Sequence, residues 1–220
     1  MSLRILLADD HEIVLEGLSA LIEKEAGMEV VGAVRDGREA VRMARERAPD
    51  VVLMDVGMPG LSGVEATRQI TSELPAVKVL CLSMHAERRY VSAVIEAGAA
   101  GYLLKDCALE ELSRALRQVA AGGSYLSPAV AATVLDDYAA HLGGGAPEAS
   151  PLSSREREVL QLLAEGRPTR EIAERLHLSV KTVGSHRDRI MKKLGVHSIA
   201  GLTKYAIRHG LTSSDRDPGD

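Results

Sequence analysis

Asp9, Asp10, Asp55, Ser83 and Lys105 are the residues of the N-terminal half whose types and placement could do chemistry. Asp9 and Asp10 follow the apolar run Leu3–Ala8, Asp55 follows Val51–Met54, Ser83 follows Val77–Leu82, and Lys105 follows Gly101–Leu104. Three carboxylates brought to one rim repel each other unless a cation sits among them, and an all-oxygen donor set suits Mg2+, which keeps several of its waters. The lysine adds a fixed positive charge facing them. Such a rim can accept a phosphoryl group on one carboxylate, with metal, ammonium and hydroxyl neutralising or donating to its oxygens. Taken singly, each residue reads as a solvated loop charge; their joint placement at four strand ends argues for a site.

The elements that must position them repeat. Apolar runs Leu3–Ala8, Glu29–Val34, Val51–Met54, Val77–Leu82 and Gly101–Leu104 alternate with amphipathic stretches, the pattern of βα units. Their near-continuous Val, Leu and Ile content predicts strands covered on both faces, hence a doubly wound, five-stranded parallel α/β sheet. Functional groups of such a sheet gather outside the carboxyl ends of its strands. Ser62 to Glu65 reads as a capping box, and Gly98 as the end of the fourth helix. With no Phe, no Trp and 5 Tyr, the core must be aliphatic.

A second body follows. A helix is predicted from Ser127-Pro128 through Leu142, then a flexible linker over Gly143–Pro151, and a new capping box at Ser153 to Glu156 opens an all-helical remainder. Domains are expected at residues 1–123 and 152–212, joined by 124–151, with a tail at 213–220. The whole chain of 220 residues carries a net charge of -4. Residues 1–150 hold 14 Lys+Arg against 22 Asp+Glu, a net of -8; residues 151–220 hold 13 against 9, a net of +4. Cys81 and Cys107 cannot build a disulfide framework or a zinc site, and no apolar stretch is long enough to span a bilayer. A cytoplasmic protein without a membrane partner is expected.

Thr169 to His177, then Leu178-Ser179, then Val180 to Leu194, reads as helix, short turn, helix, with Thr169 and Ser179 as N-caps and Ala173 at the crossing. On a wheel of the second helix, Val183, Ile190 and Leu194 face the core. Lys181, Ser185, Asp188 and Lys192 lie opposite, flanked by Thr182, Gly184 and Arg189. That stripe suits phosphates and base edges of duplex DNA, and Gly184 allows close approach. The bland alternative is a solvated face with Asp188 and Lys192 as an i,i+4 pair. His186 and Arg187 sit nearer the core edge, as packing or phosphate contacts. Single strands are a poor target, because Tyr205 is the only aromatic of this half available for stacking.

Leu7-Ala8-Asp9-Asp10, Leu53 to Gly60, Leu82-Ser83 and Gly101 to Lys105 together resemble the flavodoxin-like receiver domains of two-component response regulators. Leu152 to Leu160, Glu171-Ile172-Ala173, Lys181-Thr182-Val183, His186-Arg187 and Lys193 to Val196 resemble the LuxR-type helix-turn-helix domain. The combination resembles the NarL/FixJ class. The resemblance implies that Asp55 is the phosphoacceptor and that Asp10, Asp55 and the Gly57 carbonyl bind Mg2+ with help from Asp9. Ser83 and Lys105 would contact the phosphoryl group, and Tyr102 would rotate when Ser83 moves; a half-buried edge residue is its plain alternative. It further implies a sensor histidine kinase as partner, promoter duplex DNA as target, and a homodimer on activation, with contacts from the last helix through Ile199, Leu202 and Tyr205. That helix could equally be a packing helix. Met84 departs from the small residue usual after the serine and could restrict access to Asp55. His11 reads as a surface residue. An enzyme turning over a phosphoaspartate would need an acid or base near the nucleophile, commonly an Asp two residues on; position 57 is Gly, which favours a switch over a hydrolase.

Overall fold

The computed structural model describes residues 2–132, 134 and 151–212, with residue 88 described in its backbone alone. The chain forms two compact units, residues 1–145 and 146–220. Residues 128–132 and 134 are helical. The rest of the helix expected through Leu142, the linker up to residue 150, and the tail 213–220 lie outside the described residues.

The first unit runs β1 (Leu3–Ala8), α1 (Glu12–Glu23), β2 (Met28–Val34), α2 (Gly37–Arg47), β3 (Val51–Asp55), α3 (Gly63–Glu73), β4 (Lys78–Ser83), α4 (Arg88–Glu96), β5 (Gly101–Leu104), α5 (Leu109–Ala120) and β6 (Tyr125–Leu126). All pairings are parallel and the order is β2-β1-β3-β4-β5-β6. The chain steps outward from β1 to β2 and then returns to β3, so the switch in strand order falls between β1 and β3, beside Asp9 and Asp55. The expectation of five strands is corrected to six. β6 pairs Tyr125 and Leu126 with Gly101 and Tyr102, and two residues are too few to leave a periodic signal.

Strand alternation sorts the core onto the two sheet faces. Leu6, Ala8, Val52, Met54, Val79, Cys81 and Tyr102 pack with residues of α2, α3 and α4. Ile5, Leu7, Val51, Leu53, Leu80, Leu82 and Leu103 pack with α1 and α5. Of the capping box expected at Ser62 to Glu65, the N-cap bond is made: Ser62 Oγ accepts from the Glu65 amide at 3.3 Å, and the Glu65 carboxylate, 1% exposed, pairs with Arg68 at 2.9 Å. Gly98 follows α4 with φ +86°.

The second unit holds α6 (Ser154–Ala164), α7 (Thr169–Arg175), α8 (Val180–Leu194) and α9 (Ile199–Arg208) around a core that includes Val159, Leu160, Ile172, Ala173, Val183, Ile190, Leu202 and Ala206. Ser153 and Glu156 make both bonds of the capping box. One expected cap is corrected. Pro168, extended at φ -66° and ψ 146°, is the N-cap of α7 and makes no side-chain cap bond, and Thr169 is already helical. Proline's fixed φ suits the extended entry into a helix, which moves the first helical residue to Thr169. The turn between α7 and α8 closes through Leu178 N to Ala173 O at 2.8 Å, with His177 left-handed at φ 53°. Ser179 caps α8 by accepting from Thr182 N at 3.0 Å.

α3 starts hard against the end of β3. A Cβ on Gly63 would be driven into the Asp55 carbonyl oxygen, while one on Gly17 in α1 would meet nothing within 4 Å. Alanine ordinarily stabilises a helix by roughly 1 kcal/mol over glycine. Gly17→Ala is therefore expected to raise the melting temperature, whereas Gly63→Ala is expected to destabilise by about 2 kcal/mol or more; chemical denaturation of both variants checks the opposite signs.

Candidate functional site

The loop after β1 carries Asp9 and Asp10, Asp55 ends β3, Ser83 ends β4, and Lys105 follows β5. Lys105 Nζ lies 2.7 Å from Asp9 Oδ2 and 3.0 Å from Asp55 Oδ1. Its own amide donates to the Ser83 carbonyl at 2.9 Å, which fixes where the side chain starts. Burial pushes the Asp55 carboxyl above its ordinary value; Lys105 pulls it back, and Asp9 and Asp10 add like-charge repulsion. For Lys105 burial works against the charge, and Asp55 and Asp9 outweigh it, so its pKa is raised. The structure brings Asp9, Asp10, Asp55 and Lys105 together, and Ser83 ends the strand between β3 and β5.

His11 belongs to the cluster too. Its Nδ1 stands 3.1 Å from Asp9 Oδ1 and 3.1 Å from Asp10 Oδ1, and its amide donates to Asp9 Oδ1 at 3.0 Å. The side chain is 66% exposed, so it is a surface residue as read, yet one atom of each of Asp9, Asp10, His11 and Asp55 falls within 4.8 Å of the others. Its position directly after the acidic pair was the available signal. The carboxylate oxygens make this group chemically fit for a hard divalent cation. Gly57 stands in the turn after β3.

Ser83 and Tyr102 both bond to the backbone of His85. Ser83 Oγ accepts from the His85 amide at 3.1 Å, and Tyr102 Oη donates to the His85 carbonyl at 2.7 Å. The His85 ring stacks on Tyr90 with centroids 4.9 Å apart. Tyr102 is fully buried, which corrects the alternative of a half-buried edge residue; burial raises its phenol. A lone histidine in a loop gives no sequence signal for a backbone contact. Met84 is 71% exposed and projects to solvent. Cys81 is buried with its thiol pushed up to about 12 by burial, an inert core residue beside Thr67.

In the second unit, Lys181, Ser185, Asp188, Arg189 and Lys192 are exposed on α8, Thr182 and Gly184 are half-buried, and Val183 and Ile190 fill the core. Leu194 packs partly against that core, and His186 and Arg187 are half-buried as expected. Burial and the neighbouring Arg189 and Arg155 lower the His186 pKa. Asp188 is drawn to Arg187 at 3.4 Å. Of the last-helix residues, Ile199 is 44% exposed, Tyr205 is half-buried and stacked on His209 at 3.9 Å, and Leu202 is 0% exposed. Leu202 as a dimer contact is thus corrected: it is a core residue with no surface to offer.

An acidic rim with a half-buried lysine at the carboxyl ends of a parallel sheet, in one chain with a basic helix-turn-helix, defines a regulator that couples a receiver to a DNA-binding module. Residues 5–117 match the response regulator receiver domain, and residues 150–206 match the bacterial regulatory proteins of the luxR family. The chain is 42% identical over 212 residues to the transcriptional regulatory protein MctR of Rhizobium johnstonii, covering 96% of each. It is 40% identical over 213 residues to the response regulator UvrY of Escherichia coli, covering 97% of each. The solved RcsB of Salmonella enterica serovar Typhimurium, bound to promoter rprA in the presence of BeF3-, superposes with a TM-score of 0.60 at 28% identity, over 93% of this chain and 98% of that one. The chain belongs to the NarL/FixJ class of two-component response regulators, a family of transcriptional regulators rather than enzymes. Among the described residues no helix is long and apolar enough to cross a membrane.

One ion pair ties the start of the second unit to α8. Lys193 Nζ lies 2.6 Å from Glu156 Oε2, which also takes the Ser153 amide at 2.8 Å. Burial works against the Glu156 charge, but Lys193 and Ser153 outweigh it and hold its pKa down to about 2 from an ordinary 4.5. The fold therefore favours the ionised form, so this stabilisation is full above about pH 4.5 and is lost as pH falls toward 2. The hydrogen-exchange protection factors of residues 152–211 in the full chain are expected to fall across that window, and Lys193→Gln is expected to weaken the dependence. An unchanged profile in Lys193→Gln would remove the ion pair as its cause.

Proposed function

We propose that this regulator is switched by phosphorylation of Asp55. The observation that carries the reading is the half-buried Lys105 ammonium between Asp9 and Asp55, with Ser83 ending the neighbouring strand β4. Asp9, Asp10, Asp55 and the Gly57 carbonyl would hold Mg2+, which when bound supplies positive charge to the phosphoryl oxygens. An Asp55 oxygen attacks phosphorus of a phosphohistidine on a sensor kinase; the O–P bond forms, the N–P bond breaks, and the imidazole leaves. Lys105 then pairs with a phosphoryl oxygen, and Ser83 donates to another.

The new group adds roughly -1.5 to -2 charges. Ser83 gives up its bond from the His85 amide to reach it, and the loop carrying His85 moves with the hydroxyl of Tyr102. Driving a switch from mostly off to mostly on takes about 5.5 kcal/mol of differential stabilisation, a size that several charge-assisted contacts to one phosphoryl group can supply. Met84 at the rim bears on how long that group survives.

The output is binding of α8 in the major groove of promoter DNA. Lys181, Thr182, Gly184, Ser185, Asp188, Arg189 and Lys192 form the facing surface, and the relative bound to promoter rprA supports the target class. Two copies, paired with help from Ile199 and Tyr205, would read half-sites roughly one DNA turn apart.

Acetyl phosphate with Mg2+ is expected to give a stable gain of one phosphoryl mass in the wild type and none in Asp55→Asn; rapid repeated turnover of donor would instead mark an enzyme. For the output, Lys181→Ala and Lys192→Ala are each expected to weaken duplex binding and flatten its salt dependence by about one charge. Unchanged binding would remove α8 as the recognition helix.

A further inference from the structure

Val180, the first helical residue of α8, is 53% exposed, and it is the one large apolar side chain that the described part of this helix turns to solvent. The core does not need it, since Val183 and Ile190 already face inward at 1% and 0% exposure. Helix initiation does not need it either. Ser179 supplies the cap, its Oγ accepting from Thr182 N at 3.0 Å and bonding Thr182 Oγ1 at 2.8 Å. Those bonds fix the first turn, so Val180 is presented from a set backbone.

Its neighbours on the exposed face have other chemistry. Ser185 Oγ donates back to the Lys181 carbonyl at 3.1 Å, and Asp188 is drawn to Arg187 at 3.4 Å. Lys181 and Lys192 end in point charges, suited to phosphates. In the major groove, base edges present donors, acceptors and one kind of apolar group, the C5 methyl of thymine. A recognition helix contacts base edges with its N-terminal residues, and Val180 stands at that end.

We infer that Val180 determines specificity by packing its methyl groups on the C5 methyl of one thymine in each half-site. The assignment rests on the reading of α8 as the groove-binding helix. Packing there removes apolar surface of both partners from water, so the contact contributes affinity only where the methyl is present. Cytosine or guanine at that place offers a polar edge that valine cannot satisfy.

The test uses the full chain with acetyl phosphate and Mg2+ to select duplexes from a random-sequence pool. The selected site is then remade with deoxyuridine replacing one thymine at a time, which deletes the methyl and keeps the base pairing. Wild type is expected to lose about fourfold in affinity at one thymine per half-site, the size of one methyl in an apolar contact. Val180→Ser is expected to bind thymine and deoxyuridine equally there with an unchanged salt slope, and Val180→Ala, which keeps a strong helix former, to lose the discrimination likewise. Equal deoxyuridine effects in wild type and both variants would overturn the assignment and leave the DNA reading standing. A wild-type chain that enriches no sequence from the pool would overturn the DNA reading and the assignment together.

Discussion

Lys105 holds the rim of the first unit together. Asp9 and Asp55 are 1% and 5% exposed, and two carboxylates so placed would lose hydration and repel each other. The ammonium at 2.7 Å and 3.0 Å compensates both. The strand order makes this a demanding contact: β4 lies between β5 and β3, so Asp55 and Asp9 stand two and three strands from the lysine's own. At about 4.8 Å per strand those are roughly 10 and 14 Å between backbones, and only a long side chain meeting converging carboxylates closes the gap. Removing the cation would leave uncompensated buried charge, which costs several kcal/mol. The sheet's register is thus tied to the chemistry of its edge.

The aliphatic core serves the same end. Alternation places Val52 and Met54 on one face and Val51 and Leu53 on the other, so β3 is anchored from both sides before Asp55 emerges at its end. With neither Phe nor Trp in the chain, Tyr102 is the largest fully buried side chain, and its hydroxyl is bonded to the His85 carbonyl. A buried polar tip needs its partner, and the bond to the His85 carbonyl ties the tyrosine to that loop. That coupling reaches Ser83 through the amide of the same residue.

Much of this was legible in the sequence because strand ends are marked by a change from continuous apolar residues to charge. Asp9, Asp55, Ser83 and Lys105 could be placed on one rim from that change and the rule for parallel sheets alone. The outward stripe of α8 followed from helical period in the same way, and Val183 and Ile190 are buried as the wheel requires. What stayed hidden depends on tertiary context. β6 is two residues long, and pairing with β5 makes it a strand. Leu202 sits on an amphipathic helix whose apolar side suits a core or a partner equally; the packing of α9 on α6 decides for the core. His85 acts through backbone contacts that no spacing encodes. The cap of α7 was misplaced by one residue because Thr169 has the right chemistry and Pro168 the right backbone.

The net charge of -4 hides how the chain can meet a polyanion. Fields of exposed charges fade over about 8–10 Å in physiological salt, so a groove contact senses the local surface of α8 and little of the acidic unit's total. That local surface is more modest than its basic residues suggest. Arg187 is drawn to Asp188, and Lys193 is taken by Glu156. Lys181, Arg189 and Lys192 remain as exposed cations without those partners. Three phosphate contacts would give a salt slope of roughly -2.7 for each copy, a weak electrostatic hold. Joining two copies sums their contacts on one duplex and makes the second binding event intramolecular. On the proposed function, weak binding by a single copy would let pairing, and with it the state of the receiver, govern occupancy of the DNA.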